Sequence, residues 1–149
     1  MRAVIQRVKF AKVEVDGAAV GEIGRGLLIF IGIESSDTQK DMDYIADKCA
    51  GLRVFDDANG VMNLSVADAG GEMLVVSQFT LMGDVRHGRR PSYIAAAPPS
   101  EAAGMFEKVL ATFRRTGVPI QTGRFAADMQ VSLLNDGPVT ILLDSKKLF

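Results

Sequence analysis

The chain has 149 residues, a net charge of −1 and 48% hydrophobic residues. These values are typical of one globular domain that buries a sufficient core without a disulfide or metal staple. The near-neutral charge argues against a protein that coats nucleic acid through a global positive field, and it leaves open an enzyme that meets nucleic acid through one local patch. The single cysteine, Cys49, excludes an intramolecular disulfide and favours a reducing, cytoplasmic setting.

The first third of the chain predicts three strands and a helix. Residues 2–15 alternate as a long strand, residues 20–23 return after an Asp16-Gly17 turn, and residues 27–33 are apolar on both faces. No apolar run approaches the ~20 residues needed to span a membrane, and the start lacks the features of a signal peptide. A helical stripe follows over residues 42–52, with Ser36 or Asp37 as the predicted N-cap.

The remaining two thirds alternate between short strands, one long loop and a second helix. Strands are predicted at residues 53–55 and 62–66, and another runs from residue 74 through residue 81. In the last of these, period two separates Ser77 and Phe79 from Gln78 and Thr80. The loop of residues 82–93 holds three arginines and the single histidine. Long ordered loops are often functional.

The second helix starts at Pro98–Pro99, and closing strands are predicted at residues 118–122, 127–134 and 139–143. The pattern predicts one α+β domain over residues 1–149, with a mainly antiparallel sheet and two main helices. Cys49 falls on the apolar stripe of the first helix and is predicted to be a core residue rather than a nucleophile.

Counting reactive side chains removes most mechanisms. Only His87 is available as an imidazole base, and it lies between arginines in a glycine-containing loop. One cysteine and one histidine cannot form a zinc site without carboxylates, so zinc is not expected. No Walker A sequence or dinucleotide-binding fingerprint is present, so no cofactor is expected either. The best remaining candidate is the cluster of Ser77, Gln78 and Thr80. Without a base it suits substrate placement and main-chain stabilisation of an oxyanion, in a reaction whose substrate supplies the activating group.

A second polar stretch, Asn135-Asp136-Gly137-Pro138-Val139-Thr140, has the composition of a turn. Sequence physics alone favours a trans proline at the start or edge of a strand. Together with Ser77-Gln78-Phe79-Thr80-Leu81, this stretch resembles the D-aminoacyl-tRNA deacylases. Four further segments share the resemblance, which runs end to end in one register: residues 1–8, 62–66, 90–93 and 122–125.

The resemblance implies a barrel-like, homodimeric fold that uses no cofactor. The implied reaction is hydrolysis of the ester that joins a D-amino acid, or glycine, to the 3′-terminal adenosine of tRNA. It implies that Gly137-Pro138 is a cis dipeptide, held by Arg7, which enters the partner subunit's pocket and leaves no room for an L side chain.

The resemblance also implies a set of residues around the substrate. Ser77, Gln78, Phe79 and Thr80 would line the pocket, with their main chain facing the scissile carbonyl, while the 2′-hydroxyl of the RNA activates water. A threonine nucleophile needs an adjacent base, and none is visible, so Thr80 is predicted to position rather than attack. The terminal adenine would lie near Phe125, Ala126 and Met129.

Several positions depart from the family pattern. Ala126 stands where glycine is usual, Arg89 and Tyr93 replace asparagine and phenylalanine, and Met82-Gly83 is unusual. Two other functions stay open. One is a non-catalytic nucleic-acid-binding dimer; the other is a hydrolase of another small ester that uses Ser77 and needs no tRNA. The first would use five arginines: Arg86, Arg89, Arg90, Arg114 and Arg115.

Overall fold

The computed structural model describes residues 1–149 and contains eight strands and two helices. In chain order these are β1 (Arg2–Val15), β2 (Ala18–Ile23), β3 (Gly26–Gly32), α1 (Gln39–Gly51), β4 (Phe55–Asp56), β5 (Met62–Leu64), β6 (Glu72–Ser77), α2 (Pro99–Arg114), β7 (Ile120–Thr122) and β8 (Gln130–Asp144). A 3₁₀ turn over Phe79–Met82 follows β6. The α+β class and the two helices agree with the sequence pattern.

The long strand β1 organises the main sheet. It pairs antiparallel with β2 and β3 along one side and with β8 along the other. The two remaining pairs, β3 with β6 and β6 with β7, are parallel. The predicted mainly antiparallel sheet is therefore mixed. The reason is that the chain reaches β6 and β7 through crossovers that contain α1 and α2, and such connections return the strand in the same direction.

The sheet curls until its ends nearly meet. At the closure β2 approaches β7 so closely that a Cβ on Gly21 would lie 2.2 Å from the carbonyl oxygen of Thr122. Only glycine permits this approach, and the outcome is a barrel-like sheet.

Each face of the sheet has its own apolar cluster. The larger one lies between the sheet and the two helices, and Cys49 of α1 is fully buried in it, as predicted. Burial raises the pKa of the Cys49 thiol to about 12. The smaller cluster, which includes Leu28, Leu74 and Val76, fills the inside of the curled sheet. No helix is both long enough and apolar enough to cross a membrane.

The N-cap of α1 is Thr38, not Ser36 or Asp37. The carboxylate of Asp41 closes the cap by accepting hydrogen bonds from the N–H and hydroxyl of Thr38, both at 2.8 Å. Asp37 is used elsewhere, because its carboxylate pairs with the buried ammonium group of Met1 at 2.6 Å. A long-range partner therefore displaced the cap that local sequence favoured.

The strand predicted to run through residue 81 ends at Ser77. The next residues turn tightly, with the N–H of Leu81 bonded to Gln78 O at 3.3 Å and that of Gly83 to Thr80 O at 3.0 Å. The period-two assignment of faces beyond Ser77 is thus wrong. The last two predicted strands are, in contrast, parts of the single strand β8.

Candidate active site

A cavity of about 590 Å³ opens where β3 and β6 end. The two strands are in register there, with Ile31 beside Ser77. The start of α2 and the loop before β8 close the other sides. Six residues singled out in the sequence lie together in its wall: Ser77, Gln78, Phe79, Phe125, Ala126 and Met129.

Few polar side chains line this cavity. Its lining contains a hydroxyl from Ser77, an amide from Gln78 and a phenol from Tyr93, but no carboxylate, imidazole or amine. Thr80 lies outside the lining, and its hydroxyl accepts a hydrogen bond from the Gln78 side chain. An amide cannot take up a proton at neutral pH, so Thr80 has no base beside it.

Main-chain donors next to the cavity come from the 3₁₀ turn, whose first residue, Phe79, lines it. The N–H of Gln78 is already bonded to Ile31 O at 2.7 Å, which fixes the end of β6. The N–H groups of Phe79 and Thr80 stand in the first positions of the turn, where main-chain donors have no partner within a helix. The site therefore offers backbone N–H groups on a rigid support.

Two aromatic pairs shape the cavity. Phe79, which is 58% exposed, meets the ring of Tyr93 edge-on with centroids 5.1 Å apart. On the opposite wall Phe125 packs against the buried Phe106 at 5.9 Å. Both arrangements fall in the range of favourable aromatic contacts, so each pair stabilises the position of a ring that lines the cavity.

Backbone geometry sets the side of the cavity that carries Ala126 and Met129. Met129 packs over Gly123, where a Cβ would lie 2.7 Å from the Met129 sulfur. Ala126 has a φ of +59°, in the left-handed region that favours glycine. This conformation suits the glycine that the resemblance implies at that position.

The Gly137-Pro138 peptide bond is cis and lies in an excursion of β8. Pairing with β1 passes from Thr140 opposite Gln6 to Asn135 opposite Val8, so residues 136–139 bulge from the strand. Side chains close the base of this excursion: Asn135 Oδ1 accepts from the N–H of Val139 at 3.2 Å, and Gln6 Oε1 accepts from Asn135 Nδ2 and the Thr140 hydroxyl.

The Arg7 side chain of β1 holds the same excursion through hydrogen bonds and ion pairs. Its Nε donates to Asp136 O at 3.1 Å, and its Nη1 donates to Val54 O at 2.6 Å. The guanidinium also lies 3.5 Å from the Asp136 carboxylate and 3.6 Å from that of Asp56. Gly137 has a φ of +118°, and a Cβ there would lie 2.8 Å from Arg7 Nη2. An L side chain at residue 137 would therefore strain the backbone and push against the Arg7 guanidinium.

The dipeptide does not line the cavity of its own chain. Arg7, which holds the dipeptide, is in register with Leu27 of β3 and through it with Met73 of β6, whereas the cavity residue Ser77 lies four positions further along β6. The dipeptide and the cavity are therefore roughly 13 Å apart along the strands. They are also three strand spacings apart across the sheet, from β8 to β6, which is roughly 14 Å. The predicted halves of the site do not meet within one chain.

The sequence pattern did not assign part of the cavity wall. Ile31, Ile33, Tyr93 and residues 96–99 line it because the segment before α2 folds back across the ends of β3 and β6. A hydrogen bond of 2.8 Å from the N–H of Ala97 to Ile33 O fastens that segment. Local periodicity cannot predict a contact between residues as far apart in the sequence as Ile33 and Ala97.

The chain matches one family model and several named relatives. The family model described as D-Tyr-tRNA(Tyr) deacylase matches residues 4–144. Proteins named D-aminoacyl-tRNA deacylase from Thermotoga petrophila and Anaeromyxobacter dehalogenans are each 56% identical over 149 residues, with both chains fully covered.

Two solved structures share the fold. A protein named c-Myc DNA unwinding element binding protein superposes with a TM-score of 0.91 and 42% identity, covering 97% of this chain and 98% of its own. A probable eukaryotic D-amino acid tRNA deacylase has a TM-score of 0.80 at 16% identity, covering 95% and 97%. The family match over nearly the whole chain, with relatives of the same length, shows that the chain belongs to the D-aminoacyl-tRNA deacylase family of ester hydrolases.

Proposed function

We propose that the protein hydrolyses the ester of D-aminoacyl-tRNA, and of mischarged glycyl-tRNA, releasing the amino acid and tRNA. The observation that carries this is a cavity with backbone donors and an amide but no base, in a chain of this family. Water attacks the ester carbonyl with help from the 2′-hydroxyl of the terminal adenosine. The N–H groups of Phe79 and Thr80 are suited to the oxyanion.

Chirality is read by Gly137-Pro138 of a second copy. The register places this dipeptide too far from its own cavity, yet Arg7 holds it rigidly. A main-chain wall near the α-carbon rejects a side chain that points toward it, so an L residue clashes and a D residue points away. Specificity of this kind comes from a repulsive element rather than from added attraction.

An apolar row supports the homodimer. Leu142, which is 60% exposed, is in register with Val4, then Phe30, then Val76 of the cavity wall. The row crosses one face of the sheet from β8, three residues beyond the excursion, to the cavity wall. A two-fold contact on this face would bury Leu142 and exchange the two excursions, since such interfaces use the same patch on both subunits.

Mixing two inactive variants tests whether the excursion of one subunit completes the cavity of the other. Gln78→Ala damages the cavity and Gly137→Ala the excursion, where the new Cβ meets Arg7. If sites are shared, subunit exchange in an equal mixture restores activity to about a quarter of the parent, since half the dimers then contain one intact site. A strictly monomeric protein in sedimentation, or a mixture as inactive as its parts, would refute the proposal.

Two variants address the roles of single residues. Thr80→Ala is expected to retain much of the activity, because the hydroxyl only accepts a bond from Gln78. A folded variant with no activity would instead assign Thr80 as the nucleophile. Replacing Pro138 by alanine is expected to weaken activity or the preference for D-Tyr-tRNA over L-Tyr-tRNA. Unchanged selectivity would count against the filter.

A nucleic-acid-binding function is the second candidate, since a structural relative carries a DNA-binding name. Two of the arginines that this alternative would use are paired, Arg86 with Asp84 and Arg115 with Asp43. Incubation with D-Tyr-tRNA and L-Tyr-tRNA separates the two functions. Selective loss of the D-ester supports the hydrolase, and binding without turnover supports the alternative. Hydrolysis of D-esters that lack the nucleoside supports the small-ester hydrolase.

A further inference from the structure

We propose that the loop of residues 84–92, here called the arginine loop, binds the phosphates of the single-stranded 3′ end of tRNA through Arg89 and Arg90. This inference rests on the proposed function and adds a second contact region to it. The cavity would take the aminoacyl-adenosine, and the arginine loop would take the backbone immediately before it.

The arginine loop is closed and preformed. The N–H of Asp84 donates to Ser92 O at 2.8 Å, and the N–H of Ser92 returns to Asp84 O at 2.9 Å. Inside the loop the Asp84 carboxylate accepts from the backbone N–H of Arg86 at 3.0 Å and from its Nε at 2.9 Å. Gly88, with a φ of +77°, allows the turn at the tip. Binding would therefore require little ordering of the backbone.

Both ends of the arginine loop border the cavity. Tyr93 follows Ser92 directly, lines the cavity and meets Phe79 edge-on. Gly83 precedes Asp84 and lies against the same ring, since a Cβ there would be 3.0 Å from Tyr93 Cε1. Arg90 is three residues from Tyr93, so their Cα atoms are within about 11 Å of each other.

The charge of the arginine loop is concentrated and partly unpaired. Three arginines against one aspartate give it a net charge of +2 in a chain whose total is −1. Asp84 neutralises Arg86 at 2.6 Å, whereas Arg89 and Arg90 are exposed and have no acidic side chain within ion-pair distance. Two free guanidinium groups beside a cavity suit phosphate oxygens, which they bind in a bidentate way.

A double variant with two substrates tests the assignment. Arg89→Gln/Arg90→Gln is compared with the parent on D-Tyr-tRNA and on 3′-O-D-tyrosyl-adenosine, which has no phosphate. We expect kcat/KM on the tRNA to fall about tenfold, and the slope of its logarithm against log salt to become shallower by about 1.4 for two lost contacts. Hydrolysis of the adenosine ester should not change.

The matched control removes one exposed positive charge from each helix. Lys40→Gln/Lys108→Gln changes α1 and α2, and neither side chain has an ion-pair partner. It should behave as the parent on both substrates. A parent enzyme that fails to hydrolyse D-Tyr-tRNA would overturn the proposed function. An active parent whose arginine-loop variant keeps the same kcat/KM and salt slope, or loses both substrates equally, would overturn only this inference.

Discussion

Replacing Arg7 by methionine should separate the support of the Gly137-Pro138 excursion from the rest of the fold. Methionine keeps most of the aliphatic stem of a side chain that is 10% exposed, but it donates no hydrogen bond. The change removes the bonds to Val54 O at 2.6 Å and Asp136 O at 3.1 Å. Both carbonyls then lose a charged donor.

The expected cost follows from these two bonds. A hydrogen bond from a charged donor contributes about 1.5–3 kcal/mol, and relief from the desolvation of Arg7 offsets part of the sum. The ion pairs with Asp56 and Asp136 add little, because their carboxylate side chains are 52% and 31% exposed. We therefore expect the free energy of unfolding to fall by about 3 kcal/mol.

Urea unfolding at one fixed protein concentration measures this loss, since association changes apparent stability. Deacylation of D-Tyr-tRNA and L-Tyr-tRNA is then followed without urea, under conditions in which the variant is folded. We expect kcat/KM for the D-ester to fall at least tenfold, which corresponds to about 1.4 kcal/mol of lost transition-state stabilisation, or the preference for the D-ester over the L-ester to weaken. Lys9→Met, at an exposed neighbouring position of β1, is the control. A folded Arg7→Met enzyme with unchanged stability and selectivity would refute the reasoning.

Three further outcomes are expected. Ala126→Gly removes the strain of a left-handed alanine, about 1–2 kcal/mol, while the greater entropy of glycine in the unfolded chain costs about 0.5–1 kcal/mol. Urea unfolding should therefore show a small net stabilisation, and a loss of stability would contradict the reasoning. Asp37→Ala leaves the buried ammonium group of Met1 unpaired and should cost about 3–5 kcal/mol in the same assay. Cys49 should resist a thiol reagent in the native protein and react on unfolding, because burial raises its pKa to about 12; fast native labelling would contradict this.

Local pattern was sufficient wherever neighbours along the chain decide the conformation. The alternation of residues 2–15 became β1, and the proline pair before residue 100 became the start of α2. The burial of Cys49 followed from helical spacing. The candidate residues around Ser77 and Phe125 came from motifs, and the structure places them around one cavity.

Tertiary structure decided what depends on residues far apart in the chain. The end of β6 at Ser77, the pairing of Asp37 with Met1 and the parallel strand pairs all result from partners that no local period encodes. The bond from Arg7 to Val54 O joins segments 47 residues apart. The distance between the β8 excursion and its own cavity is likewise a property of sheet register. Sequence periodicity reports which face of an element is apolar, whereas register and closure determine which of those faces meet.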